Sequence, residues 1–484
     1  MAKIARAGLL LQGFLAFVFL MFPVTGQSAD ISGPAAPATL TPPGTAQQGK
    51  VLTLEEAVRI GLENQSSIKS AQYQINAQDA VLHQQMSAYY PTVNFNNIYQ
   101  TGNAGGGSSG ASSAFDRISS AVNMSMILYN FGKREGSVQS SKYALDATQY
   151  AYHTTANNTV LSVKEAYYGV VQANALLRVS EETVKDREET LRQTQGFYDV
   201  GTKPKSDLTQ AQANLYIAQA NLILVRNSVD TAWATLRNAM GVDEYPQLPL
   251  DDQLSVAPFT MSLDEAKKAA FSARPELRQF EALLKAQDQL IAVARRSHLP
   301  ELVFNANWSH SNVSNGTTAE SVCGQTLFAP DSEGNVQSFC ARRQTITHSI
   351  DTFPLKPSWQ VLLTLNIPIF NGFQTTYQVQ QALSTYRSIK EQERVERQQV
   401  ALQVEQSYRN VGATQEAVKA NEAAVKAAKE NLDLHEGRYQ VGYAPIVEVT
   451  DAQTTYVVAQ VNYVNALVAY RLAVAQLANA MGGQ

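Results

Sequence analysis

The segment VGTKPKSDLTQAQANLYIAQANLILVRNSVDTAWATLRNAMG, residues 200–241, recurs as VGYAPIVEVTDAQTTYVVAQVNYVNALVAYRLAVAQLANAMG, residues 441–482. The copies register without gaps at an offset of 241, pairing Val200-Gly201 with Val441-Gly442, Pro204 with Pro445 and Ala211-Gln212 with Ala452-Gln453. Asn238-Ala239-Met240-Gly241 likewise pairs with Asn479-Ala480-Met481-Gly482, and the match reaches back through Tyr198 and Tyr439 to Asn130 and Asn371. Nearer the N-terminus the offset is 209: Leu54-Glu55-Glu56-Ala57 matches Leu263-Asp264-Glu265-Ala266, and Phe95-Asn96 matches Phe304-Asn305. Growth of the offset from 209 to 241 places one 32-residue insertion between Pro300 and Asn371. Two matched stretches this long mean a whole structural unit duplicated. The expected organisation is a first repeat at 51–241, a connector at 242–260 and a second repeat at 261–482. The insertion is expected as an external loop at about 310–353.

Each copy reads helix, strand, strand, helix. In the first, the capping-like Thr53-x-x-Glu56 starts a helix expected to run to about Ala88 and end before Pro91. A strand follows, with Val93, Phe95 and Tyr99 on one face and Asn94, Asn96 and Gln100 on the other. Beyond a Gly/Ser loop, Gly102 to Ser113, the apolar Val122, Met124, Met126 and Leu128 alternate with Asn123 and Ser125. The second copy repeats this with Leu302, Phe304, Ala306 and Trp308, then Trp359, Val361, Leu363, Leu365 and Ile367. Strands of about ten residues, apolar on one face and uncharged polar on the other, suit a barrel with lipid outside and water inside. Hairpins on a soluble core would show the same alternation.

The helices separate these readings. No proline interrupts Gly132 to about Phe197, or Phe373 to Tyr439; roughly 65 helical residues at ~1.5 Å each extend about 98 Å. The return helix carries a seam of Leu208, Ala211, Leu215, Ala218, Leu222, Val225, Val229, Ala232, Leu236 and Ala239. Its counterpart is Val449, Ala452, Tyr456, Ala459, Tyr463, Ala466, Tyr470, Ala473, Leu477 and Ala480. Spacings of 3 and 4 sustained over more than four heptads mean coiled-coil packing, and alternate Ala lets neighbouring helices approach closely. An ordinary bundle core explains the stripe but neither its length nor its alternation of large residues with Ala.

The 484 residues are 44% hydrophobic but only 17% charged, with a net charge of −4 and two cysteines. So little charge, and no concentrated basic face, excludes an electrostatic nucleic-acid footprint. Two cysteines exclude a disulfide scaffold and a four-thiolate zinc site. Lys3 and Arg6 precede an apolar run from about Ala7 to Pro23 and then small residues, which is the pattern of a secretory signal peptide over 1–29, cleaved after Gly26 or Ala29. An uncleaved anchor needs ~20 apolar residues, more than this run supplies. Residues 30–50, rich in Pro, Ala, Gly and Thr, read as a disordered leader.

Two repeats supply four strands, too few to close a barrel, and open strand edges cannot sit in lipid. Three chains supply twelve, so the expected fold is an α+β membrane protein. In it a cyclic trimer forms a 12-stranded outer-membrane β-barrel and a long periplasmic α-helical barrel. The duplicated helix-strand-strand-helix order resembles that of the TolC-like outer-membrane channels of efflux and type I secretion. So do Tyr129-Asn130-Phe131-Gly132, Phe370-Asn371-Gly372 and the two Val-Gly tips. The resemblance spans about Leu52 to Gly482. It implies a homotrimeric, non-enzymatic export channel without a cofactor or resident metal. Its partners would be outer-membrane lipid, a periplasmic adaptor of the membrane-fusion type and an inner-membrane ABC or RND-type transporter. The alternative from another class is a periplasmic or surface coiled-coil structural protein that forms no pore.

By the same resemblance, Val200, Gly201 and Pro204 with Val441, Gly442 and Pro445 would form adaptor-docking tips. Glu448 and Asp451, three apart on one helix face, match carboxylates at the channel's periplasmic mouth. Threefold symmetry would make them rings that favour cations. Asp207 stands at the position equivalent to Glu448, and Asp207 and Tyr439 would join polar links that hold the entrance. An Arg frequent in the family two positions after the second tip Gly is Ala444 here, so one link is missing or rebuilt. In an oxidising compartment Cys323 and Cys340, both in the insertion, are expected to form a disulfide; free thiols or a metal pair are the alternatives. The glycine-rich run Gly105 to Gly110 lacks the strand-turn-helix context of a phosphate loop or nucleophile elbow. The six histidines show no zinc-ligand spacing.

Overall fold

The structure, a computed structural model, describes residues 51–105, 112–251, 259–313, 318–330, 336–348 and 356–483. The expected signal peptide and leader lie outside them. Leu52–Gln484 form one compact unit. In chain order the elements are α1 (Leu54–Asn64), α2 (Ser66–Met86), β1 (Thr92–Gly105), β2 (Ser112–Tyr129), α3 (Lys133–Asp199) and α4 (Lys205–Met240). The second copy gives α5 (Leu263–Ala273), α6 (Pro275–Arg296), β3 (Glu301–Val313), β4 (Thr318–Pro330), β5 (Val336–His348), β6 (Lys356–Asn366), α7 (Gln374–Gln440) and α8 (Ile446–Ala480).

One expectation changes. The single helix from Thr53 to Ala88 is two helices, because Gln65 between them is extended (φ −61°, ψ 126°). Thr53 caps α1 as its motif suggests, accepting the Glu56 amide at 3.3 Å. The Gln65 side chain donates to the Asn238 and Ala239 carbonyls at 3.2 and 3.3 Å, so the end of α4 dictates the break. Gly241, at φ +69°, passes so close that a Cβ would lie 2.7 Å from Gln65 Cα. The second copy breaks at the equivalent Arg274, whose Nε donates to the Ala480 carbonyl at 2.8 Å. At Gln65 helix propensity yields to a tertiary contact; at Arg274 the following Pro275 adds a local bias out of the helix. The insertion, expected as an external loop, holds the antiparallel ribbon β4–β5, separate from the main sheet. Strand pairing satisfies backbone groups that a long loop would leave to water.

The main sheet is antiparallel throughout, in the order β1-β2-β3-β6. Its strands outrun the expected ten residues, since β1 and β2 stay paired to Gly105 and Ser112. α3 and α7 each span 67 residues, about 100 Å at ~1.5 Å per residue. Each folds back on its return helix, α3 on α4 and α7 on α8. On α4 the seam is buried except for the half-buried Leu222, Val225 and Ala232; on α8 only Tyr456 and Tyr463 are half-buried. α8 is long and apolar enough to cross a membrane by length and composition, yet it packs along α3 and α7. The largest core cluster joins Leu52, Tyr167, Val170, Trp233, Leu236 and Met240, with Tyr245, Leu248 and Leu250 of the connector packed against it. Tyr167 ties it by donating to the Leu52 carbonyl at 3.0 Å.

Candidate functional site

Two regions carry the chemistry: the faces of the sheet and the far ends of the helical hairpins. Cross-strand register aligns the apolar residues of all four strands on one face. Phe95, Val122, Trp308 and Trp359 form one row, and Val93, Met124, Ala306 and Val361 the next. Met126, Phe304 and Leu363 continue it. At the helix end of this band stand the exposed Tyr129, Phe131, Phe370 and Phe373. An apolar belt with aromatics at both margins is the pattern of a lipid-facing barrel wall. The opposite face is mainly polar, with Asn94, Asn123, Asn307 and Gln360 in register; Arg117 and Glu301 stand towards its two ends, and Ile127, Val303 and Leu362 interrupt it. Asn307 donates to Asn123 on that face, and Ser309 bonds Ser358 at 2.8 Å. Among the described residues, both edge strands, β1 and β6, have no neighbour on one side.

At the other end both hairpins turn identically. Gly201 (φ +76°) and Gly442 (φ +84°) follow the long helices. The Thr202 amide donates to the Phe197 carbonyl at 2.9 Å and the Tyr443 amide to that of Arg438 at 2.8 Å, as in a Schellman closure. Pro204 and Pro445 stand as extended N-caps immediately before α4 and α8. Val200, Val441 and Tyr443 are exposed apolar residues on these turns.

Around the tips the structure places the expected entrance residues in different settings. Tyr439 is buried; its hydroxyl lies 3.3 Å from Thr194 Oγ1, and its ring meets Phe197 edge-on with centroids 5.9 Å apart. Burial pushes the Tyr439 hydroxyl above its ordinary pKa, and the Asp207 charge adds to this while the Thr194 bond opposes it. Ala444 is buried in the same cluster as Tyr439, Ile446 and Val449. Lys203 of the first tip donates to the Ala444 carbonyl at 3.4 Å, and its ammonium lies 4.5 Å from the Tyr439 ring centroid. A cationic link between the tips is thus made from the first turn, by a residue that reads in sequence as an ordinary solvated lysine.

Glu448 and Asp451 part company. Glu448 Oε2 lies 3.1 Å from His435 Nδ1 and 3.2 Å from Arg438 Nη1, so its charge is compensated within the chain. Asp451 is exposed and has no ion pair among the described residues. Sequence spacing places both on one face but gives no sign of the cations that α7 brings to one of them.

Further from the tips a buried polar cluster joins α3 to α8. Arg187 donates to Gln453 Oε1, and to Thr454 Oγ1 at 3.3 Å. Gln453 in turn donates to Thr190 Oγ1 at 2.9 Å. Burial lowers the Arg187 pKa against the opposing pull of Asp186, but a guanidinium stays charged throughout the accessible range. In the inserted ribbon Cys340 is disulfide-bonded. Among the described residues no cluster of His, Cys, Asp and Glu could hold a metal.

The chain matches the family model described as outer membrane efflux protein over residues 58–242 and 268–483. It is 26% identical to the outer membrane protein TolC of Vibrio cholerae, over 89% of this chain and 90% of that protein. With TolC of Escherichia coli it shares 26% identity over 68% of this chain and 62% of the other. A solved structure of CusC superposes with a TM-score of 0.71 at 17% identity, over 89% of this chain and 92% of that one.

Proposed function

The chain belongs to the outer membrane efflux protein family, a channel protein of the outer membrane and not an enzyme; from that premise we propose that three copies close into one export duct. Each copy contributes four strands to a 12-stranded barrel and two hairpins to a helical tunnel crossing the periplasm. The observation that carries this is the sheet: a continuous apolar face on four strands whose two outer edges are open. In lipid each unpaired backbone group costs several kcal/mol, at roughly the scale of a lost hydrogen bond in hydrocarbon, so edges must close on other copies. The polar face then lines water.

The tips at Gly201 and Gly442, with exposed Val200, Val441 and Tyr443, suit a periplasmic adaptor, which would join the duct to an inner-membrane ABC or RND-type pump. Energy and choice of cargo belong to those partners. The β4–β5 ribbon, stapled by a Cys323–Cys340 bond, would stand at the outer mouth. Heat-modifiable migration of an outer-membrane fraction and single-channel conductance in planar bilayers test the proposal. A soluble monomer without conductance would favour the coiled-coil structural protein instead. In vivo crosslinking from Gly201 or Gly442 identifies the adaptor.

A further inference from the structure

The two copies differ where the strands meet the helices. In the first, Arg134 at the start of α3 lies over the Tyr89 ring, 4.0 Å from its centroid. Its Nη1 donates to the Ile127 carbonyl at 3.1 Å and to that of Ala88 at 3.4 Å, and its Nη2 pairs with Glu135 at 3.2 Å. One guanidinium thus fills the corner between α2, β2 and α3, and the Arg134 side chain is only 12% exposed. By the repeat offsets Thr375 stands for Arg134, Thr376 for Glu135, His298 for Tyr89 and Pro368 for Ile127. With the arginine replaced by threonine, the same corner is a cavity of about 560 Å³ lined by these four residues. A cation reaches it from another element: Arg295, in the last turn of α6, lines the cavity where α2 has Met86. Arg295 is exposed and has no hydrogen bond or ion pair among the described residues, while the adjacent Arg296 donates to the Gly132 carbonyl at 2.9 Å. No carboxylate lines the cavity. Its apolar rim is Ile369 with Phe370 and Phe373, whose rings meet edge-on with centroids 5.4 Å apart.

We propose that this cavity binds the phosphate group of a glycerophospholipid in the periplasmic leaflet of the outer membrane, one per copy. The inference rests on the channel proposal, which sets the level of the membrane, and adds a lipid site to it. The cavity lies at the helix end of the apolar band, among the aromatic residues that sit at headgroup depth in membrane proteins. Arg295 brings an uncompensated charge whose planar fork matches two phosphate oxygens, and the Thr376 hydroxyl and a His298 ring N–H are further donors. A free phosphate offers the same oxygens. The rim favours the lipid: Ile369, Phe370 and Phe373 are 94%, 74% and 61% exposed, and acyl chains running along β6 bury them. Closure of the barrel leaves this surface accessible. The corresponding segment of the first copy already has its strand neighbour, β3, and there Tyr129 and Phe131 stay 55% and 41% exposed. The first copy itself takes no phosphate, because Arg134 fills its corner and Glu135 opposes an anion.

The test strips the full-length assembly of lipid in detergent and titrates it with palmitoyl-oleoyl phosphatidylglycerol under native mass spectrometry. One tightly held lipid per copy is expected. Arg295→Gln should weaken this binding roughly tenfold, the scale of one lost hydrogen bond to a charged group. Thr376→Glu should weaken it at least as much, since it puts a carboxylate where the first copy has Glu135. An acid in the first turn of a helix is favoured, so this variant keeps α7 folded. Arg192→Gln, 73% exposed near the tips, removes the same charge elsewhere and should leave binding unchanged. Dioleoylglycerol, with acyl chains but no phosphate, should bind far more weakly; binding as tight as the phospholipid overturns the phosphate contact. Inorganic phosphate that displaces the phospholipid at equal concentration overturns the lipid in favour of a free anion. Equal phospholipid binding by the unmodified protein, Arg295→Gln and Thr376→Glu, in trimers that conduct, overturns the site and leaves the channel standing. A protein that is monomeric in the membrane and does not conduct overturns both.

Discussion

Arg187 sits in the run Lys185-Asp186-Arg187-Glu188-Glu189, which reads as a solvated helix face, yet α8 covers its guanidinium. Arg187→Ala leaves Gln453 Oε1 without its donor, at a cost of about 1–3 kcal/mol for a buried unsatisfied acceptor. A lower unfolding midpoint of the detergent-extracted protein checks this, and Arg187→Lys should recover part of the loss. Glycines separate by what surrounds them. A Cβ at Gly201 meets nothing within 4 Å, so Gly201→Ala costs only the left-handed backbone, roughly 1–2 kcal/mol. Gly241→Ala adds collision with the Gln65 backbone at 2.7 Å and should lower the midpoint further. Arg438 already compensates Glu448, whereas Asp451, like Asp207, has no ion pair among the described residues. Asp451→Asn should therefore weaken cation preference more than Glu448→Gln, read as reversal potential in a salt gradient. Equal effects, or none, would remove Asp451 from the selectivity role. That the two carboxylates share one helix face was legible from spacing; that Glu448 is paired was not, because its cations come from another helix.

At the scale of elements, period is what the sequence states most clearly. Alternation in β1, β2, β3 and β6 agrees with the pairing register, because a slip of one residue would turn every apolar side chain to the polar face. On that register Leu363→Arg places a charge in the lipid-facing band, at a cost of about 2–4 kcal/mol near the bilayer midplane. Loss of the protein from the outer-membrane fraction is the expected outcome. Asn307→Ser, on the opposite face, should insert normally. The heptad seams were equally legible, since spacings of 3 and 4 have one helical solution. The break at Arg274 has a local signal in the Pro275 that follows it; the break at Gln65 has no such proline. At Gln65 the side chain accepts the Ser66 amide at 2.9 Å as a local cap and also donates to a carbonyl at the end of α4, 173 residues away in sequence.

At the scale of the molecule, the β4–β5 ribbon pairs with no strand of the main sheet among the described residues. Deleting Thr318–His348 should therefore leave the heat-modifiable assembly and its conductance in place, with single-channel recording as the check; loss of assembly would give the ribbon a part in closure. The sequence by itself determined the duplication, the alternating pattern of the four strands of the main sheet and the length of the two long helices. Each of these is a periodicity, and periodicity is a one-dimensional property. Tertiary structure alone decided that Arg187 is buried, that Lys203 links the two tips, and that Glu448 is paired and Asp451 is not. Those depend on which distant residues meet across α3, α7 and α8, and a repeat shows that two positions are alike without showing that only one of them has a neighbour.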